Sequence, residues 1–132
     1  MKNTIYLDTN ILIYLFEKHK NYSKNVATIL DTYSKKGYLF LSSVITVTEF
    51  LAGTISASLD TLHQVPRFCL INLNEDLAQK AAVLQKNNHM QIGDAIHLAT
   101  AIEQKTELFF TNDKILANIV KNYMSVIEIN QQ

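Results

Sequence analysis

Ile5-Tyr6-Leu7-Asp8-Thr9-Asn10 is the stretch on which the reading of this chain turns. Three apolar residues form a short buried strand. An acid, a hydroxyl and an amide follow, and then a second apolar run, Ile11 to Phe16. Ending a buried strand on a carboxylate is costly unless a cation or hydrogen-bond donors meet it. Asn10 or Thr9 is a suitable N-cap for a helix that starts at Ile11. A strand running into an acid and a capped helix is how open α/β sheets place functional groups at the carboxyl ends of their strands. Taken alone, Asp8 is more simply a turn or cap residue, since capping carboxylates are far commoner than catalytic ones. Recurrence of the pattern changes that balance.

Working outward, Tyr22, Val26, Ile29, Leu30 and Tyr33 share one helical face, and Lys35-Lys36-Gly37 closes that helix with cations and a glycine cap. Tyr38 to Leu41 reads as a second strand. Ser42-Ser43 then caps a helix from Val44 to about Ala52, with Glu49 in its second turn. Residues 53–66 carry little pattern and read as a helix end plus a connection. Cys69 to Leu73 is a third strand, and Asn74 caps a helix from Glu75 to about Asn87, which ends in a turn at Asn87-Asn88-His89. In the next helix Ala95, Leu98, Ala99 and Ile102 make a packing face of small and branched residues, and Asp94 lies in the first turn. Leu108 to Phe110 ends in Thr111-Asn112-Asp113 and a helix from Ile115, repeating the opening pattern; Ser125 to Ile129 is a last strand. Strands alternating with helices predict a single α/β domain over residues 1–132, with a parallel sheet and helices on both faces.

Composition sets the limits of function. Hydrophobic residues are 48% and charged residues 18%, which excludes a disordered chain. Lysine plus arginine and aspartate plus glutamate number 12 each, so the monomer lacks the basic excess of an unspecific nucleic-acid binder. The lone Cys69 allows no internal disulfide and is expected as an apolar core thiol in a reducing compartment. With no signal peptide and no membrane-spanning run, a soluble cytoplasmic protein is expected.

Asp8 and Asp113 follow strands, and Glu49 and Asp94 lie early in helices leaving the same sheet edge, so all four can converge on one pocket. Four carboxylates without a nearby arginine repel unless hard divalent cations neutralise them. Oxygen-only ligation suits Mg²⁺ or Mn²⁺, and zinc would want cysteines or closely spaced histidines that the chain lacks. Such a site lowers the pKa of bound water and steadies a phosphodiester for in-line displacement. Thr9, Asn10, Thr111 and Asn112 would hold the acids by hydrogen bonds or add an oxygen ligand.

These pieces resemble the PIN domain, and within it the VapC-type toxins of bacterial and archaeal toxin–antitoxin pairs. The resemblance is carried by Leu7-Asp8-Thr9-Asn10, by Thr48-Glu49, by Gly93 to Ala101 and by Thr111-Asn112-Asp113, and it spans nearly the whole chain. It implies a metal-dependent RNA endonuclease, usually a homodimer, held inactive by a small antitoxin lying over the active site. It also implies that Asp8, Glu49, Asp94 and Asp113 bind the metal. The poorly patterned 53–66 region departs from the family at the RNA groove and the dimer surface.

Other residues have plainer readings. His97, one turn beyond Asp94, is expected to be a packing or surface histidine, and His19, His63 and His89 carry no spacing signal. Tyr14, Phe16, Tyr22 and Tyr33 fall at helical spacing and belong to the core or a dimer interface; their abundance between Ile11 and Tyr33 predicts a symmetric homodimer burying that surface. Lys18, Lys20, Lys24, Lys35 and Lys36 form a solvated face. A haloacid-dehalogenase-type phosphatase would want a second acid at Asn10, and a receiver domain an acid after its middle strand, so neither fits. The rival of another class is a PIN-like module that binds RNA or protein without cutting.

Overall fold

Residues 3–17 and 19–129 are described by a computed structural model, so Lys18 lies outside the described residues. The first strand, β1 (Thr4–Leu7), is buried along its whole length and sits at the centre of a five-stranded sheet. After it come α1 (Thr9–Phe16), α2 (Ser23–Lys35), β2 (Leu39–Ser43), α3 (Ile45–Gly53), α4 (Leu59–Leu62) and β3 (Phe68–Ile71). The second half supplies α5 (Glu75–Asn88), α6 (Ile92–Glu103), β4 (Leu108–Phe110), α7 (Lys114–Val120) and β5 (Ser125–Ile127). The strand order is β3-β2-β1-β4-β5, and every pairing is parallel. The expected parallel α/β sheet is therefore present.

Alternation along β1 builds two cores. Ile5 and Leu7 point to one face, where they join Ile11, Leu12, Val26, Phe40 and Phe50. Tyr6 points to the other and joins Leu41, Leu77, Leu98, Phe109 and Leu116. A strand buried on both faces must be apolar at consecutive positions, which is why Ile5-Tyr6-Leu7 shows no polar alternation. Helices from the first half cover one face, and α5, α6 and α7 cover the other. Against the second face α6 sets Ala95, Leu98, Ala99 and Ala101, all buried; Ile102, expected on that face, is partly exposed. Small side chains let this helix lie close to Tyr6 and Phe109, whose rings stack at 5.1 Å.

Several local expectations change. Helix α1 begins at Thr9, so its N-cap is Asp8 rather than Asn10 or Thr9, and the Asp8 side chain makes no capping hydrogen bond. Ser42 and Ser43 are the last residues of β2, and Val44 holds the N-cap position of α3. The Ser43 hydroxyl nevertheless accepts the Ile45 N–H at 3.2 Å, so the capping expectation holds in part for Ser43. The Ser42 hydroxyl donates to the Leu7 carbonyl at 2.7 Å, and the Ser43 N–H donates to Tyr6 Oη at 2.8 Å, so both serines tie β2 to β1. Residues 53–66 contain a one-turn helix, α4, anchored by the buried Leu62. Cys69 is exposed rather than buried, because β3 is an edge strand with a neighbour on one side only. Asn74 does cap α5, accepting from the Leu77 N–H at 2.8 Å.

The aromatic run is core. Phe16 meets Phe50 edge-on at 5.8 Å, Tyr14 packs on Tyr22 at 4.9 Å, and Tyr33 meets Tyr38 at 5.0 Å. The large apolar side chains left exposed come from elsewhere, Ile55, Val83, Ile92 and Ile115 foremost. On α1 and α2, Tyr14, Phe16, Tyr22 and Tyr33 pack against the core and remain partly exposed, so the apolar surface that motivated the dimer expectation is only partly used within the chain.

Candidate active site

The chain leaves β1, builds β2 and β3 to one side, and then crosses back to place β4 and β5 on the other. Such a reversal opens a crevice at the carboxyl edge, here between β1 and β4. Leu7 pairs with Phe110, so Asp8 and Thr111 emerge side by side. The Asp8 N–H donates to the Phe110 carbonyl at 3.0 Å, carrying the ladder one step past the strand. Thr111 Oγ1 donates to Asp8 Oδ2 at 2.8 Å and in turn accepts the Asp113 N–H at 3.1 Å. Asp8 is only 6% exposed. Burial pushes its carboxyl above the usual range, partly offset by His97 and the Thr111 hydroxyl.

Glu49 reaches the crevice from α3. Its Oε1 accepts from Thr9 Oγ1 at 2.7 Å and hydrogen-bonds His97 Nε2 at 2.6 Å, while Thr9 and Thr46 share a hydroxyl contact of 3.1 Å. Burial pushes the Glu49 carboxyl up, but the His97 and Thr9 interactions outweigh it and hold it below its ordinary value. On the other side of this carboxylate lies Gly93, where a Cβ would come within 3.0 Å of Oε2. Any larger residue there would make the Glu49 carboxylate give by a few tenths of an ångström.

Asp94 stands in the first turn of α6, partly buried. Burial, then the charges of Asp8, Asp113 and Glu49, push its carboxyl up to about 6. Asp113 is the N-cap of α7, and its Oδ1 accepts from the N–H groups of Ile115 and Leu116 at 3.0 and 3.1 Å. This acid therefore caps a helix at the same sheet edge as Asp8. Asp94 and Asp113 line one cavity of about 220 Å³, with His89, Gln91 and Ile115 among its other walls. His89 had no spacing signal.

All four acids therefore belong to one edge of the sheet, and Asp94 feels the charges of the other three. Thr9 and Thr111 hold Glu49 and Asp8 directly; Asn10 is exposed, and neither Asn10 nor Asn112 bonds to an acid among the described residues. The lysine ion pairs among the described residues go to Asp31, Asp76, Glu103 and Glu128, and none reaches the four acids. Oxygen donors of this hardness, repelling one another with no cation between them, fit Mg²⁺ or Mn²⁺. As they stand, no three His, Cys, Asp or Glu side chains among the described residues are gathered tightly enough to hold an ion. A cation would have to draw them inward.

His97 is more than a packing or surface histidine. It is 1% exposed, and both ring nitrogens are engaged: Nε2 with Glu49 and Nδ1 with Tyr6 Oη at 2.6 Å. Burial raises the Tyr6 hydroxyl well above its ordinary value, so it keeps its proton. One signal could have found His97. It stands three residues after Asp94, and a helix puts i and i+3 on one face.

The family model of the PIN domain matches residues 5–122. No curated protein matches the sequence. Among solved structures, a chain of a toxin–antitoxin complex from Klebsiella pneumoniae is 26% identical, with a TM-score of 0.63 over 95% of this chain and 99% of that one. A chain of VapBC2 from Rickettsia felis, bound to a DNA fragment from their promoter, is 17% identical, with a TM-score of 0.67 over 95% and 98%. FitAcB from Neisseria gonorrhoeae is 20% identical, with a TM-score of 0.66 over 94% and 96%. At the two lower identities the likeness is one of fold. The family match runs from β1 to just beyond α7, far past the reach of any single short motif. The chain belongs to the PIN domain family.

Proposed function

We propose that the protein is a divalent-metal-dependent RNA endonuclease, the toxin of a type II toxin–antitoxin pair, with Asp8, Glu49, Asp94 and Asp113 as its catalytic acids. The observation that carries this reading is the gathering of four acids at one sheet edge, where burial and the other three charges push Asp94 up to about 6 and no lysine or arginine among the described residues pairs with them. A pure binding module has no use for that repulsion. A hydrolase that recruits Mg²⁺ or Mn²⁺ does, because the ion neutralises the acids and supplies the charge that acidifies water and steadies a phosphodiester.

The residues have separate tasks in this reading. Asp8, buried and held by Thr111, offers a fixed acceptor at the floor of the crevice. Glu49 keeps Oε1 tied to Thr9 and His97 and turns Oε2 toward the start of α6. Asp113 commits Oδ1 to the α7 N-terminus, leaving its other oxygen for the ion. Asp94, the most repelled of the four, gains most from a cation. Exposed apolar side chains beside the acids, Ile92 and Ile115, suit the faces of unstacked bases, which favours single-stranded or loop RNA.

The likeness to chains of toxin–antitoxin complexes supports an antitoxin partner, and a homodimer is part of the same proposal. Exposed Val83, Ile102 and Tyr123 offer apolar surface for contact between copies, away from α1 and α2. No helix of the described residues is long and apolar enough to cross a membrane, and a toxin acting on RNA works in the cytoplasm. The test is purification from the native cell. The reading predicts a small protein that comes with the chain, and RNA cleavage with Mg²⁺ or Mn²⁺ once that protein is removed. A chain that comes alone and leaves RNA intact with either metal contradicts it.

A further inference from the structure

Beside the four acids runs a buried line of hydrogen bonds that the proposed chemistry does not itself require. It starts at the end of β2, where the Ser43 N–H donates to Tyr6 Oη at 2.8 Å. From Tyr6 it passes to His97 Nδ1 at 2.6 Å, and from His97 Nε2 to Glu49 Oε1 at 2.6 Å. Tyr6 is wholly buried, and its ring is clamped by stacking on Phe109 and by an edge contact with His97 at 5.6 Å.

We propose that Tyr6 and His97 are positioning residues that aim Glu49 into the site, with Tyr6 setting the tautomer of His97. The proton count carries the argument. The Tyr6 oxygen already accepts from a backbone N–H, so its own O–H can donate to Nδ1 at 2.6 Å; the Thr100 hydroxyl is its other side-chain partner. An imidazole that accepts at Nδ1 carries its proton on Nε2, and Nε2 is the atom that faces the Glu49 carboxylate. The opposite tautomer would set a lone pair against a carboxylate oxygen. A glutamate side chain has several rotatable bonds, and that of Glu49 is 40% exposed, so without such a tether it would sample many rotamers. The relay fixes which oxygen is committed and leaves the other turned toward Gly93 at the start of α6. It also locks α6, which carries Asp94, to α3, which carries Glu49.

This inference rests on the metal-dependent reading for its purpose, so its test has one arm that does not depend on metal. In that arm the imidazole nitrogens of ¹⁵N-labelled protein are observed by NMR, with the His97 signals assigned by their loss in His97→Gln. The expected result is a proton on Nε2 and none on Nδ1, and loss of that preference in Tyr6→Phe. A proton on Nδ1 of the wild-type protein overturns the relay.

The second arm measures Mn²⁺ affinity by calorimetry, with thermal melting to show that each variant is folded. His97→Leu keeps bulk but no donor, and it should weaken binding by about 10–100-fold, as loss of a partner that orients a ligand does. His97→Gln sets an amide N–H near the place of Nε2 and should recover most of that loss. Equal affinities in wild type, His97→Leu and His97→Gln would overturn the positioning role. If wild type itself binds no Mn²⁺, the nuclease reading falls and the tautomer measurement alone decides the relay.

Discussion

Thr111 joins β4 to β1 through the carboxylate of Asp8, its hydroxyl donating to Oδ2 at 2.8 Å while accepting the Asp113 N–H at 3.1 Å. One hydroxyl thus serves two of the four acids. Thr111→Val keeps the shape but strands a buried carboxylate and a backbone donor. It should cost about 1.5–3 kcal/mol of stability in urea unfolding. RNA cleavage should fall by about 10–100-fold, since the acceptor at the crevice floor is no longer oriented.

Asp94 makes the metal-free protein sensitive to pH. Its folded-state carboxyl lies at about 6, above the ordinary value of 3.8, so between those values the folded protein binds more protons than the unfolded one. Stability from this group therefore falls as pH rises through that window, and the full penalty is in force above it. The raised Asp8 acts in the same direction. Glu49, held low, acts the other way: its contribution is present above its ordinary value and is lost as pH falls through the lowered one. In chelator, Asp94→Asn should be more stable than wild type at pH 8, by about 1 kcal/mol once solvent screening of a partly exposed group is allowed for. The difference should vanish near pH 4. Added Mn²⁺ should raise the melting temperature of wild type more than that of Asp94→Asn. Parallel unfolding curves for the two proteins at both pH values would contradict the shared field.

Gly93→Ala separates function from stability. Gly93 is the second residue of α6, where the gain from alanine falls short of the ~1 kcal/mol of a helix interior. Here its Cβ would come within 3.0 Å of Glu49 Oε2, and the carboxylate must give by a few tenths of an ångström. The expected outcome is a melting temperature equal to or above wild type, together with weaker Mn²⁺ binding and slower cleavage. Unchanged Mn²⁺ binding and cleavage would contradict the close approach.

Lys36 supplies the converse control. It follows α2, at the amino edge of the sheet opposite the acids, and lies over the Tyr33 ring at 5.3 Å. Lys36→Ala should leave the cleavage rate unchanged, and at most weaken RNA binding in a salt-dependent way. A large loss of rate would mean that RNA reaches across to that edge.

Much of this was legible because it is local. Strand β1 ending on Asp8, the Asn74 cap and Asp94 in a first helical turn depend on near neighbours, and the alternation of strands and helices implied one acid-bearing edge. What was hidden depends on distant partners. His97 looked inert because Glu49 lies 48 residues away and Tyr6 lies 91 away. Ser42 looked like a cap because serine favours caps, but its hydroxyl runs sideways to the Leu7 carbonyl of β1, whereas the Ser43 hydroxyl does accept the first N–H of α3. Asp8 took the cap position without its capping bond, because Thr111, 103 residues on, holds the carboxylate. Cys69 misled in the same way, since an edge strand is recognised only once the strand order is known.

The most direct measurement is cleavage of end-labelled RNA by the purified chain, first in chelator and then with Mg²⁺ or Mn²⁺ restored, beside Asp8→Asn and Asp113→Asn. Asparagine keeps size and hydrogen bonding at both positions, and at 113 it still caps α7, so both variants should melt close to wild type. The account predicts cleavage only with metal, products with 5′-phosphate and 3′-hydroxyl ends, and a loss of orders of magnitude in each variant. Cleavage that persists in chelator, products with 2′,3′-cyclic phosphate, or full activity in Asp8→Asn would contradict it.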